Sequence, residues 1–240
     1  MSNDLAPSAR PGTGTGFDEP SPAQVVVDAI TPVLRGWLHL VCFFLSIPAG
    51  MLVIASAHTP LARTSAVIYA IGVSALFGVS ALYHRREWSV TARPRMKRVD
   101  HATIFVMIAA TYTPLCLVAL GGALGTVVFV VVWACAVTGV IFAATGIAEK
   151  AIVGLAMYIG LGWGMALVFP QLTRVLSSGQ LALVVAGGVL YTVGGIFLGT
   201  RWPDPFPAIF GYHELWHLMV VAAAACHYVV ILAVVKAAMS

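Results

Sequence analysis

The stretch from Leu124 to Ala144 reads LGTVVFVVVWACAVTGVIFAA and carries no charged side chain. Its length matches the ~20 residues that an α-helix needs to cross about 30 Å of hydrocarbon. In lipid, every backbone polar group must be paired, and the stretch shows no alternation of polar and apolar residues that would indicate a barrel strand. We therefore predict a transmembrane helix.

Six further apolar runs of similar length occur along the chain. Of its 240 residues, 60% are hydrophobic and only 9% are charged, whereas a soluble domain carries charge at roughly a quarter of its positions. The sequence therefore predicts an all-α, seven-transmembrane helix bundle, a multi-pass protein of the cell membrane with membrane lipid as its partner. The predicted spans are residues 37–57, 64–84, 100–119, 124–144, 151–170, 180–199 and 212–235.

The segment before the first span, residues 1–35, is rich in Pro, Gly and Thr and has no apolar core. Because such a composition buries too little apolar surface to fold, we expect a disordered tail followed by a membrane domain at residues 36–240. The tail also lacks the charged start and apolar stretch of a secretory signal.

The basic residues indicate the orientation of the bundle. Of the 13 Lys and Arg, ten lie in the tail and the even-numbered connections, and three lie on the opposite side, namely Arg63, Arg174 and Lys236. Because Lys and Arg accumulate in cytoplasmic loops, we predict a cytoplasmic N-terminus and an outside C-terminus. The densest basic segment, residues 85–98, is one short loop with little aromatic interleaving, so we expect it to set topology and to bind no nucleic acid.

Four polar residues far apart in sequence meet at one membrane surface in this topology. His84 ends the second span, Asp100 opens the third, and His213 and His217 open the seventh. Ionisable groups at the ends of apolar spans are functional candidates. His213 and His217 are four residues apart, so their imidazoles share a helix face, and with His84 they would leave the fourth position of a tetrahedral Zn²⁺ open for water. Asp100 could then orient that water or accept its proton, and Ser80, one turn deeper than His84, could hold a second oxygen.

The segment from His213 to His217 also fits the H-E-x-x-H pattern of zincins, in which the glutamate is a general base. This short pattern arises by chance, and Glu214 would have to turn toward the metal. We expect Glu214 instead to be a first-turn residue that faces the positive end of the helix dipole.

The other histidines of the spans are expected to lie outside the metal site. His39, beside Trp37, is predicted to be an interfacial anchor of the first span, and His101 is also predicted to be interfacial. His227 lies ten residues after His217, about 15 Å further along the same helix, which is too far to bind the same ion.

Four motifs together resemble the hemolysin III family, the bacterial branch of the progestin and adipoQ receptor family, which is similar to alkaline ceramidases. They are Ser80-Ala-Leu-Tyr-His84, Arg98-Val-Asp100-His-Ala, Ala110-Thr-Tyr-Thr-Pro114 and Phe210-Gly-Tyr-His-Glu-Leu-Trp-His217. The resemblance covers all seven spans. It implies zinc bound by His84, His213 and His217, an Asp100 that contacts the metal-bound water, and Ser80 nearby.

Three functions follow as expectations. The leading one is a metal-dependent, hydrolase-like membrane protein with Asp100 and Ser80 as catalytic residues, acting on a lipid amide or ester in membrane homeostasis. The alternative is a non-enzymatic, zinc-stabilised receptor or regulator of lipid state. Cytolysis is a third reading, and it rests on the family name alone. An open coordination position would favour the enzyme, and a fourth protein ligand would favour the structural role.

Overall fold

A computed structural model describes residues 31–147 and 151–238, without the side chains of residues 151 and 152; residues 1–30 of the predicted tail lie outside the described residues. The described chain is almost entirely helical. Within the described residues, seven segments are long and apolar enough to cross a membrane, which confirms the predicted fold class. The α-helices are α1 (Trp37–Ala55), α2 (Pro60–Arg85), α3 (Ala92–Pro114), α4 (Gly122–Ala144), α5 (Ala151–Trp163), α6 (Phe169–Val175), α7 (Ser178–Thr200) and α8 (Tyr212–Ala237).

The third span differs most from its predicted limits. Helix α3 begins at Ala92, two turns before the predicted start at Asp100, and the loop that precedes it is reduced to residues 86–91. The reason is that residues 93–98 are mostly basic, so an apolar window excludes them, although Arg and Lys are good helix formers. Asp100 therefore lies inside a helix and not at its first turn.

The C-terminal part of the third span departs from α-helical geometry at Pro114. Proline has no backbone N–H to continue the ladder, and residues Leu115–Leu120 follow as a π-helix. The Thr113 hydroxyl donates to the Ala109 carbonyl at 2.9 Å and accepts from the Trp133 indole of α4 at 3.1 Å. These bonds hold α3 against α4 next to the distortion.

The fifth span is broken in its middle. Helix α5 ends at Trp163, a 3₁₀ segment covers Gly164–Val168, and α6 completes the crossing. The Tyr112 hydroxyl of α3 lies 2.7 Å from the Gly162 carbonyl and 2.9 Å from the Leu161 carbonyl. Because carbonyls freed at a helix break need a donor in lipid, Tyr112 stabilises the break.

Helix α2 packs between α1 and α3, and α8 packs against α7 and α1. A small residue sets the approach of α2 to α3, since a Cβ added at Gly72 would lie 2.4 Å from the Cβ of Ala110. Small residues of this kind permit close helix contact in membranes. The arrangement brings the last turn of α2, the early turns of α3 and the first turns of α8 to one end of the bundle.

Candidate metal centre

Three histidines converge at that end. His84 lies in the last turn of α2, and His213 and His217 lie on one face of the first turns of α8. The Nε2 atoms of His84 and His213 are 3.2 Å apart, and one ring nitrogen from each of the three residues lies within 4.8 Å of the others. Tetrahedral Zn–N bonds of about 2.0 Å place neighbouring ligand atoms about 3.3 Å apart. The predicted ligands are thus brought together with spacing that suits a metal ion.

The start of α8 is fixed by acidic side chains of the loop and the first turn. Asp204 Oδ1 accepts the Tyr212 N–H at 2.8 Å, and Glu214 Oε2 accepts the Gly211 N–H at 2.9 Å. The other oxygen of Glu214 accepts a hydrogen bond from Arg35 Nε. Glu214 is therefore the first-turn residue that its position predicts, and both its oxygens are engaged in structure and not directed to a metal.

A turn before α1 lies against His84 at the end of α2. Gly36 in this turn has a φ of 77°, and a Cβ added to it would lie 2.7 Å from the Cβ of His84, so glycine is required for both reasons. The turn is held by the Arg35–Glu214 ion pair and by hydrogen bonds from the backbone of residues 33 and 34 to that of residues 208 and 209. Hydropathy and residue spacing did not predict this turn.

Ser80 and Asp100 line one end of a cavity inside the bundle, and the Ser80 side chain interacts with the Asp100 carboxyl. Ser80 is buried, and Asp100 is half-buried. Among the described residues, Asp100 is not one of the side chains whose ligand atoms all lie within 4.8 Å of one another. The structure thus brings both predicted residues to one cavity from two adjacent helices, with Ser80 one turn before His84 on α2.

The cavity continues from this polar end between α3, α5, α7 and α8. Along α3 its lining extends from Asp100 to Tyr112, about 18 Å at 1.5 Å per residue. Apolar and aromatic side chains dominate this length, among them Ile104, Met107 and Tyr158. The result is an elongated, mostly apolar space with the Asp100 carboxyl and the Ser80 hydroxyl at one end.

His39 is buried against the candidate ligand His217, so the interfacial-anchor role, which the sequence favoured over a site role, is wrong. Its ring stacks on that of His217, with centroids 3.8 Å apart and planes 12° apart. The residue is only 3% exposed and lines the cavity, and within the described part of the chain neither ring nitrogen meets the geometric criteria for a hydrogen bond. The position of His39 at the end of the first span was consistent with a place near the histidine cluster. The sequence does not show which face of α1 meets α8, because tertiary packing determines that face.

His227 lines the cavity beyond the histidine cluster, and its Nε2 lies 3.3 Å from the Val184 carbonyl of α7. Among the described residues, His227 is not part of the histidine group that could hold a metal ion, which agrees with its predicted distance from His217. The carbonyl of His101 accepts a hydrogen bond from the Tyr158 hydroxyl at 3.3 Å, and its interfacial role stays a prediction.

Comparison with known proteins adds an independent line of evidence. Residues 27–228 match a family described as haemolysin-III related. The chain is 31% identical to Hemolysin-3 of Bacillus cereus over 202 residues, which are 81% of this chain and 87% of that protein. It is 32% identical to the Hemolysin-3 homolog of Bacillus subtilis over 198 residues, 81% and 89% of the two chains. It is 30% identical to the human monocyte to macrophage differentiation factor over 173 residues, 69% and 68% of the two chains.

Proposed function

Because the chain belongs to the hemolysin III family, we propose that this multi-pass membrane protein binds one Zn²⁺ through His84, His213 and His217. Three imidazoles of this spacing suit zinc, which prefers nitrogen ligands in a tetrahedral arrangement. The stack of His39 on His217 restricts the rotation of one of the three rings. Such surroundings orient metal ligands before the metal binds.

We further propose that the site hydrolyses a lipid amide or ester. The observation that carries this proposal is the pairing of a carboxylate and a hydroxyl, Asp100 and Ser80, at the polar end of an apolar cavity beside the histidine cluster. Ligand sites are concave and mostly apolar, with a few polar groups that converge. An acyl chain would occupy the apolar length, and its carbonyl would lie at the Asp100 end.

In the proposed reaction, water adds to the acyl carbonyl carbon, and the bond from that carbon to the amide nitrogen or ester oxygen breaks. Bound zinc would supply Lewis-acid polarisation and would lower the pKa of a coordinated water. Asp100 would accept the proton of the attacking water and pass it to the leaving group, while the Ser80 hydroxyl would donate a hydrogen bond to the carbonyl oxygen. The products are a fatty acid and an amine or alcohol.

The test is release of free fatty acid by the purified, zinc-loaded protein from ceramide-like amides and from phospholipid esters. We expect Asp100→Asn to abolish release while zinc and fold are retained, and Ser80→Ala to slow release by roughly a hundredfold. Ser65→Ala is a matched control, because Ser65 is a buried serine on the same helix, about 22 Å away. Release by wild type no greater than that by Asp100→Asn, for both lipid classes, would contradict the hydrolase proposal.

A second candidate is a non-enzymatic regulator in which zinc has a structural role. The favouring observation is that the three ligands come from α2 and α8, so an ion bound there would join two helices distant in sequence. A ligand that binds only the folded state stabilises it. Zinc that raises thermal stability without any lipid turnover is the result that would select this candidate.

A further inference from the structure

A second, separate groove lies on the outer surface between α1 and α2. Its walls include exposed apolar side chains, among them Phe44, Met51 and Ile71, which are 62%, 65% and 63% exposed. Small residues of the two helices, such as Gly50 and Gly78, also line it. It shares none of its lining with the internal cavity.

The polar atoms inside the groove are satisfied by one another. The Ser46 hydroxyl donates to the Phe43 carbonyl at 2.7 Å and lies 2.8 Å from the Ser74 hydroxyl. The groove therefore presents an apolar surface to its occupant. Along α2 its lining extends from Ala70 to Arg85, about 22 Å, which is long enough for an acyl chain that crosses the hydrocarbon of one leaflet, about 15 Å.

Two arginines, Arg85 and Arg86, form the end of the groove, where α2 ends. The guanidinium of Arg85 lies over the Trp37 ring at 4.2 Å and that of Arg86 over the Trp88 ring at 5.1 Å. Face stacking on an aromatic ring leaves the N–H groups at the edge of a guanidinium able to donate. In the part of the chain that the structure describes, neither arginine pairs with a carboxylate.

We propose that this groove binds one anionic phospholipid, with an acyl chain between α1 and α2 and its phosphate at Arg85 and Arg86. The apolar length matches an acyl chain of one leaflet, the two cations match a phosphodiester, and tryptophans of this kind mark the depth of the headgroups. The site is independent of the histidine centre and of its proposed function.

Native mass spectrometry of the full chain in mild detergent tests this, with phosphatidylglycerol and phosphatidylcholine of identical acyl chains supplied in equal amounts. We expect one phosphatidylglycerol to be retained in preference to phosphatidylcholine. The double variant Arg85→Gln/Arg86→Gln should lower this preference on the order of tenfold. The matched control is Arg93→Gln/Arg95→Gln, which removes the same charge from exposed positions of α3 outside the groove; the preference should persist there.

The variant Ala75→Phe fills the groove without a change of charge, and we expect it to remove the retained lipid of either kind. Thermal unfolding verifies that each variant is folded. An unchanged preference in Arg85→Gln/Arg86→Gln, or an equal loss in the α3 control, would overturn the proposal, because lipid would then follow net charge alone. A wild-type dimer that Ala75→Phe converts to a monomer would assign the groove to a second copy and would equally overturn it.

Discussion

His39 and His217 stack closely, His39 lines the cavity, and its two buried ring nitrogens have no hydrogen-bond partner among the described residues. Phenylalanine would keep the stacked ring and remove the buried polar atoms, whose desolvation is costly without partners. We expect His39→Phe to retain zinc, to raise the free energy of unfolding by about 1 kcal/mol, and to reduce lipid turnover. Zinc content, thermal unfolding in detergent and fatty-acid release measure the three. Loss of zinc as complete as in His217→Ala would make His39 a ligand instead.

The glutamate of the H-E-x-x-H segment gives a second prediction at the scale of one residue. Glu214→Gln keeps an acceptor for the Gly211 N–H but loses the charge that pairs with Arg35. We expect zinc content to stay unchanged and the free energy of unfolding to fall by about 2 kcal/mol, less than for a fully buried pair because the Arg35 side chain is 21% exposed.

Glu87→Gln is the control for this variant, since Glu87 is exposed in the loop after α2, and it should change neither quantity. If Glu214→Gln lost zinc and activity while its stability stayed that of wild type, the zincin reading would be correct and the capping role wrong.

Spacing alone predicted that His213 and His217 would meet, because an i, i+4 pair shares a helix face in any fold, and the predicted topology brought His84 to the same membrane surface. It could not predict the role of His39, since the face of α1 that meets α8 depends on packing over a long sequence separation. The ion pair of Arg35 with Glu214 was hidden for the same reason, as 179 residues separate the partners.

At the scale of helices, the approach of α2 to α3 positions Ser80 and His84 relative to Asp100. A Cβ at Gly72 would meet that of Ala110 at 2.4 Å, so Gly72→Ala must force the helices apart. We expect a loss of about 1–3 kcal/mol in the free energy of unfolding, with slower turnover. Thermal unfolding and the fatty-acid assay measure these effects.

Gly160→Ala is the matched control, because a Cβ on Gly160 in α5 would meet nothing within 4 Å; we expect it to be neutral or stabilising by up to about 1 kcal/mol. The double variant Gly72→Ala/Ala110→Gly should recover part of the loss. If Gly72→Ala and Gly160→Ala changed the free energy of unfolding equally, helix propensity and not close packing would determine the effect.

Hydropathy predicted the limits of most helices. The fourth span, for example, ends at Ala144 both in the prediction and in the structure. The early start of α3 was not, because its basic first turns are helical without being apolar. Hydropathy also did not predict the break of the fifth span at Gly164, because the hydroxyl that stabilises this break comes from Tyr112 on another helix.

At the scale of the whole molecule, the ten-to-three division of basic residues predicts a cytoplasmic N-terminus, and seven spans then carry the C-terminus outside. Reporter fusions after Ser240 and within residues 86–91 measure this orientation in cells. We expect the C-terminal fusion to report the outside and the loop fusion the cytoplasm. A cytoplasmic signal from both fusions would contradict the seven-span topology. A cytoplasmic signal from the C-terminal fusion together with an outside signal from the loop fusion would show the opposite orientation.

The central claim is that His84, His213 and His217 hold one zinc ion, and elemental analysis of the purified protein tests it most directly. We predict one zinc per chain in wild type and in Asp100→Asn, and less than about a tenth of that after any of the three histidines is changed to alanine, with lower thermal stability because the bound ion favours the folded state. A wild-type protein without zinc, or a His217→Ala variant that keeps its full complement, would contradict the account.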